Sequence, residues 1–271
     1  MTKAAVIQMT SGIDAQRNVD TACALLEQAA RAGASLAVLP ENMAIMGKRD
    51  TDKFAIAETF GDGIIQTRLS AIARELSLWI VAGTLPIKVP NETRVAAASL
   101  VFNADGECVA RYDKMHLFDV DVNDAQGSYR ESATMVHGQT PVCIDTPIGK
   151  LGLAICYDMR FPELFRLLSL QGAQVFAIPA AFTVPTGRAH WDVLLRARAI
   201  ENLSYVLAAA QTGTHENGRE TYGHSMIIDS WGEPLNTLNE GSGVVIADVD
   251  LQHQNAIRQR FPALSQRRLS L

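Results

Sequence analysis

The sequence predicts an α/β fold in which two strand-and-helix layers fold onto each other, and three observations carry that expectation. Short apolar runs alternate with helical periodicity over the first third of the chain, two hairpin signals break the rhythm in the middle, and the alternation then resumes. The opening AAVIQM is a short buried strand, followed by a helical pattern over 15–32 that Gly33 stops. LAVLP, 36–40, is the next strand. A helix over 63–76 and the strand WIVAG, 79–83, continue the alternation. Segments 95–102 and 107–112, joined by Asn103-Ala104-Asp105-Gly106, form a hairpin. So do 142–145 and 151–155, across Thr146-Pro147-Ile148-Gly149-Lys150. Pro162 then opens a helix that ends by Gly172, a strand covers 174–179 and a helix covers 190–202. Strands at 205–210, 226–228 and 244–249 follow, with Asp229-Ser230-Trp231-Gly232 as a turn.

At 271 residues the length lies between one large domain and two small ones. No Pro/Gly/Ser-rich linker, charge run or repeat marks a boundary, so a single domain over 1–271 is expected. An apolar content of 48% with 20% charged residues excludes disorder as the main state. Twenty-four Lys and Arg against 29 Asp and Glu give a net charge of −5, and no basic cluster offers a groove for nucleic acid. No apolar stretch approaches the ~20 residues of a membrane span. The start MTKAAVIQMT lacks the basic region and cleavage site of a secretory signal, so a cytoplasmic protein without a membrane partner is expected.

Several familiar site patterns fail. Gly61-Asp62-Gly63 precedes a helix, but Gln66 takes the third glycine position of a dinucleotide loop and no strand leads into it. The serine-hydrolase elbow, the phosphate-binding loop and the HExxH zinc motif do not occur. The six histidines are scattered, and Cys23, Cys108, Cys143 and Cys156 form no CxxC pair, so neither a metal site nor a cofactor is expected.

Three apolar strands end in a functional side chain. LAVLP delivers Glu41, the strand ending Arg111-Tyr112-Asp113 delivers Lys114, and LGLAI delivers Cys156 just before a polar turn and a helix. Strand ends of α/β sheets are where ligands bind, because rigid strands aim side chains while the loops leave space. A thiol with a pKa of about 8.5 is mostly protonated at neutral pH, so attack on an amide needs a base beside it or a positive charge. Glu41 has the chemistry of that base, and Lys114 supplies the charge for the thiolate and for a tetrahedral oxyanion. Alternatives stay open on context alone. Cys156 is by its surroundings more often a core thiol, Glu41 a solvated loop residue and Lys114 an edge-strand charge. Cys23, Cys108 and Cys143 read as packing residues.

The segments LAVLPENM, RYDKMHLFDV and LGLAICYDMRFPELF resemble, in order, the three signature segments of the nitrilase superfamily of carbon-nitrogen hydrolases. That resemblance implies Glu41 as general base, Lys114 as oxyanion stabiliser and Cys156 as nucleophile. It also implies that Glu131, otherwise a loop carboxylate, positions the lysine and substrate. The implied fold is a four-layer α-β-β-α sandwich, and the implied reaction is cofactor-free hydrolysis of a small carboxamide through a cysteine thioester, with release of ammonia or an amine. The stretches 178–202 and 208–235 and the terminal FPALSQRRL are most similar to the branch holding deaminated-glutathione amidases and omega-amidases. Members of the family generally form dimers or larger homo-oligomers.

Substrate contacts are expected from Tyr157 and Arg160, in the turn beside Cys156, and from Ala181, Phe182 and Thr183 after a strand end. An acidic amide such as a 2-oxo-dicarboxylate monoamide needs a cation, and Arg160 is the nearest once Lys114 is committed. Arg160 has an alternative in pairing with Asp158 or Glu163. Trp191 is expected to pack. Two readings compete with the amidase: a catalytically silent scaffold with the same fold, and a Cys-His protease in which Cys156 meets His190 or His224.

Overall fold

The computed structural model describes residues 1–269. Its first five strands are β1 (Thr2–Gln8), β2 (Ala34–Val38), β3 (Trp79–Val81), β4 (Leu85–Lys88) and β5 (Val95–Phe102). Next come β6 (Cys108–Asp113), β7 (Asp119–Asp121), β8 (Ser128–Arg130), β9 (Met135–Val136), β10 (Cys143–Thr146) and β11 (Gly149–Leu153). The last seven are β12 (Val175–Ala180), β13 (Tyr205–Ala210), β14 (Thr212–Thr214), β15 (Glu220–Tyr222), β16 (Ser225–Ile228), β17 (Pro234–Leu238) and β18 (Gly243–Val249). The α-helices are α1 (Ala15–Arg31), α2 (Ile64–Leu76), α3 (Pro162–Leu170), α4 (Val184–Asn202) and α5 (Leu251–Arg260).

Two sheets stack face to face. One runs β18-β1-β2-β3-β5-β4, with β6 and β9 also paired to β5; the other runs β10-β11-β12-β13-β16-β17. The period-2 alternation of a strand explains the layering. Ala4 and Val6 of β1 and Leu36 and Val38 of β2 point into the core shared with the second sheet, whereas Ala5, Ile7 and Ala37 face α1 and α2. Because both faces of the sheet are covered, the middle of β1, Ala4 to Ile7, is an unbroken apolar run rather than an alternating one. The second sheet is covered on its other face by α3 and α4, through Leu164, Phe165, Leu168, Trp191 and Leu195. The result is the α-β-β-α sandwich that the resemblance implies.

The strand-helix alternation is borne out in both halves, with three departures. Helix α4 starts at Val184 rather than near 190, since Pro185 fits the first turn and Gly187 lets the helix press on the Tyr222 ring. Strand β4 contains Pro86 and ends its path of the sheet, where a missing N–H is tolerated. Helix α5 has little apolar character; it docks through Gln254, which donates to the carbonyls of Gln174 and Leu203, and through Arg258. Among the described residues no helix is long and apolar enough to cross a membrane. Cys23 is buried and Cys143 half-buried, but Cys108 is exposed, so packing does not account for that thiol. It lies on β6, where Cys108 and Val109 both face outward.

Candidate active site

Glu41, Lys114, Glu131 and Cys156 converge on one cleft between the two sheets. Glu41 lies three residues past β2. The chain there packs so closely on Gly83 that a Cβ at that glycine would strike the Pro40 carbonyl, and Gly83 also has φ +62°. From the second sheet, Gln211 Nε2 donates to the Glu41 carbonyl at 2.9 Å and to Ser11 Oγ at 2.7 Å. The carboxylate is thus aimed by backbone that both sheets hold.

Lys114 follows β6 and is buried to 1% exposure. Its Nζ donates to Glu41 Oε1 at 2.7 Å and to the two oxygens of Glu131 at 3.0 and 2.8 Å. Burial opposes the ammonium charge, but Glu131 and Glu41 outweigh it and hold the lysine well above its ordinary range. The edge-strand role is therefore not the one it takes. Glu131, in a short 3-10 turn after β8, also accepts from the Phe118 N–H at 2.7 Å, which fixes the carboxylate against the lysine.

Cys156 opens a 3-10 turn and has φ +47°, a left-handed conformation that costs a β-carbon residue about 1–2 kcal/mol. The buried Asp158 stabilises that turn. Its carboxylate accepts from the Ile155 N–H (2.9 Å), the Tyr112 hydroxyl (2.7 Å) and the His116 N–H (2.9 Å), and it meets His116 Nδ1 at 2.7 Å. One carboxylate thereby ties the cysteine turn to the strand and loop that carry Lys114. Burial and then the Glu41 charge raise the Cys156 thiol well above its ordinary range, against the opposing pull of Lys114 and the Ala181 N–H. Of the two means of activation expected, a base or a positive charge, the lysine charge is shared between two carboxylates, which leaves the base as the one the thiol depends on.

All five substrate-contact candidates line the same cleft. Tyr157 stands edge-on to Phe118 and Phe161; Ala181, Phe182 and Thr183 are buried where β12 meets α4. Arg160 pairs with neither Asp158 nor Glu163. Its guanidinium lies over the rings of Tyr157 and Phe182 and contacts His190 Nδ1 at 3.2 Å. Trp191 packs, with its indole N–H on the His224 carbonyl. His224 stacks on Tyr222 while His190 contacts Arg160, and the charged groups acting on Cys156 are Glu41 and Lys114. Neither histidine stands as the cysteine's base.

The sequence reading missed the basic wall of the cleft. Lys48, Arg49, Lys53, Arg130 and Arg219 line it beside Arg160, so an acidic protein has a cationic mouth. Lys48, Arg49 and Lys53 share one segment, Arg130 ends β8 and Arg219 lies in the turn between β14 and β15, so no single motif marks them. The glycine pair set aside as a dinucleotide loop is accounted for as well: Glu58 accepts from the Ile65 and Gln66 N–H groups, so the chain's own carboxylate occupies that helix N-terminus.

Comparison with known proteins places these observations. Residues 3–259 match the family model for carbon-nitrogen hydrolases. A deaminated glutathione amidase from Synechocystis sp. is 45% identical over 267 residues, covering 97% of each chain. Among solved structures, the Caenorhabditis elegans NitFhit protein superposes with a TM-score of 0.92 at 38% identity, over 98% of this chain and 65% of that longer one. Nit3 of Saccharomyces cerevisiae, a member of branch 10 of the nitrilase superfamily, superposes with a TM-score of 0.88 at 31% identity over 99% and 97% of the two chains.

Proposed function

This chain belongs to the carbon-nitrogen hydrolase family, and on that premise we propose that it hydrolyses deaminated glutathione, with Cys156 as nucleophile, Glu41 as base, Lys114 as oxyanion stabiliser and Glu131 as the group that positions the lysine. As an amidase it acts on a small amide with water. The observation that carries the residue assignment is the Lys114 ammonium held between Glu41 and Glu131 beside a buried thiol.

The steps follow from that arrangement. Glu41 takes the thiol proton as Sγ attacks the amide carbon, and the developing oxyanion is met by the Lys114 charge already fixed in place. The C–N bond breaks, Glu41 returns the proton to the leaving nitrogen, and a thioester remains. Water loses a proton to Glu41, attacks the thioester carbon and releases the acid together with the regenerated thiol. On deaminated glutathione the leaving group is the amine of cysteinylglycine; ammonia leaves only from a primary amide.

The cationic mouth supports a substrate with carboxylates. Cys156→Ala is expected to abolish release of 2-oxoglutarate from deaminated glutathione and the acyl adduct seen by intact mass, with an unchanged unfolding midpoint. Turnover by that variant would remove the nucleophile assignment. A larger kcat/KM on 2-oxoglutaramate or 2-oxosuccinamate would instead make the enzyme an omega-amidase.

The same reading includes a homodimer or larger assembly. Ile200 of α4 packs on Gly232, and beside it Trp231 and Phe261 meet edge to face while each stays 53% exposed. An apolar patch of this kind is what a subunit contact buries. Light scattering that gives a monomer's mass at micromolar protein would refute it.

A further inference from the structure

Deaminated glutathione carries two carboxylates, and the cleft presents a second arginine whose bonding capacity is largely unspent. Arg219 lies in the turn between β14 and β15 and lines the cleft. Its Nη2 donates to the Ala181 carbonyl at 2.7 Å, its guanidinium lies 5.2 Å from the centre of the Tyr129 ring, and its Nη1 reaches only the Met46 thioether at 3.9 Å. Its Nε is buried without a hydrogen-bond partner. Among the described residues no carboxylate pairs with it.

A guanidinium offers five N–H donors in a rigid fork, and a group of this kind left without an anion in a largely enclosed place is costly unless a ligand completes it. The turn that carries Arg219 is also held in place. Asn217 Nδ2 donates to the Gly47 carbonyl at 2.8 Å, and the Tyr222 N–H donates to the Phe182 carbonyl at 3.0 Å, so the turn is pinned to both sheets' loops. The fork is thus presented already ordered, which lowers the entropy cost of binding. Arg160 is placed differently, since it shares the 3-10 turn with the nucleophile and stands over Phe182, one residue from the Ala181 carbonyl that holds Arg219.

We propose that Arg219 is the specificity-determining residue that pairs with the second carboxylate, the one on the leaving dipeptide, while Arg160 serves the 2-oxo acid carboxylate common to short and long substrates. This rests on the amidase reading above and adds to it the residue that separates dipeptide amides from simple ones.

The test measures kcat/KM for wild type, Arg219→Met and Arg219→Lys on deaminated glutathione, on its glycinamide form and on 2-oxoglutaramate. In Arg219→Met the ratio of kcat/KM for deaminated glutathione to that for 2-oxoglutaramate is expected to fall about 30-fold, with KM carrying most of the change. Arg219→Lys recovers part of that ratio, and the wild type disfavours the glycinamide form by a similar factor. A merely structural arginine would lower both substrates together and leave the ratio unmoved, which overturns the Arg219 assignment alone. Wild-type enzyme that hydrolyses 2-oxoglutaramate but ignores deaminated glutathione overturns both this assignment and the substrate proposed above.

Discussion

The reacting cluster and the mouth of the cleft are built on opposite principles. At the cluster, every charge is buried or nearly so and is paired: Lys114 with two carboxylates, and Asp158 with two backbone N–H groups, a hydroxyl and an imidazole. Removing one partner from such an arrangement costs about 3–5 kcal/mol, because the group left behind keeps its desolvation penalty. At the mouth, Arg160 and Arg219 rest on aromatic rings and a carbonyl, partly buried, with no carboxylate opposite. The cluster is complete without a ligand, whereas the mouth is completed by one. On the proposed reading, rate and specificity therefore belong to different residues.

That separation is open to attack by a matched pair of neutral substitutions. Glu41→Gln keeps the shape of the side chain and removes its basicity, and is expected to lower kcat about 10³-fold with little change in KM. Arg160→Met removes a cation and keeps the packing length, and is expected to raise KM about tenfold with kcat nearly intact. Steady-state kinetics on one amide substrate checks both. The contrast fails if Glu41→Gln acts mainly on KM, or if Arg160→Met depresses kcat as deeply as Glu41→Gln does.

The same division explains what could be read from the sequence. Glu41, Lys114 and Cys156 each follow an apolar strand, and a strand end is a local pattern that period and composition reveal. Their convergence is a matter of topology, and it was the length of the segment around Cys156 that made the likeness to a known family specific. Glu131 had no local signal at all, since its role depends on the Phe118 N–H and on Lys114 across a turn. Asp158 was visible only as a possible partner for Arg160, because nothing in the order of residues shows that Tyr112 and His116 would bond to it. The mouth was the least legible. Arg219 stands 59 positions from Arg160 on a small separate hairpin, and surface arginines are ordinarily solvated. Helix α5 was missed for a related reason: it is held by side-chain donors on carbonyls rather than by an apolar stripe.

The smallest effect at neutral pH concerns how the mouth is fastened to the sandwich. His215, which closes the hairpin turn by donating its N–H to the Arg219 carbonyl, is 3% exposed, and its Nδ1 faces the Ser11 carbonyl at 2.8 Å while Nε2 faces Thr221 Oγ1 at 2.8 Å. The carbonyl only accepts, so Nδ1 carries the proton and the neutral ring accepts from the threonine at Nε2. Burial, assisted by the Arg219 charge, lowers its pKa from 6.5 to about 4. A histidine whose folded pKa lies below its unfolded value favours the fold above pH 6.5 and loses that contribution as the pH falls toward 4. The interval corresponds to roughly 3 kcal/mol. Urea unfolding at pH 7.5 should show one cooperative transition if the sandwich is one domain, and its midpoint should fall toward pH 4 more steeply for the wild type than for His215→Gln. Equal slopes would mean that His215 is already charged in the fold or is not buried in solution. Arg219 would then sit on a hairpin less firmly held than its hydrogen bonds require, and the contrast between a finished cluster and a preordered mouth would lose its second half.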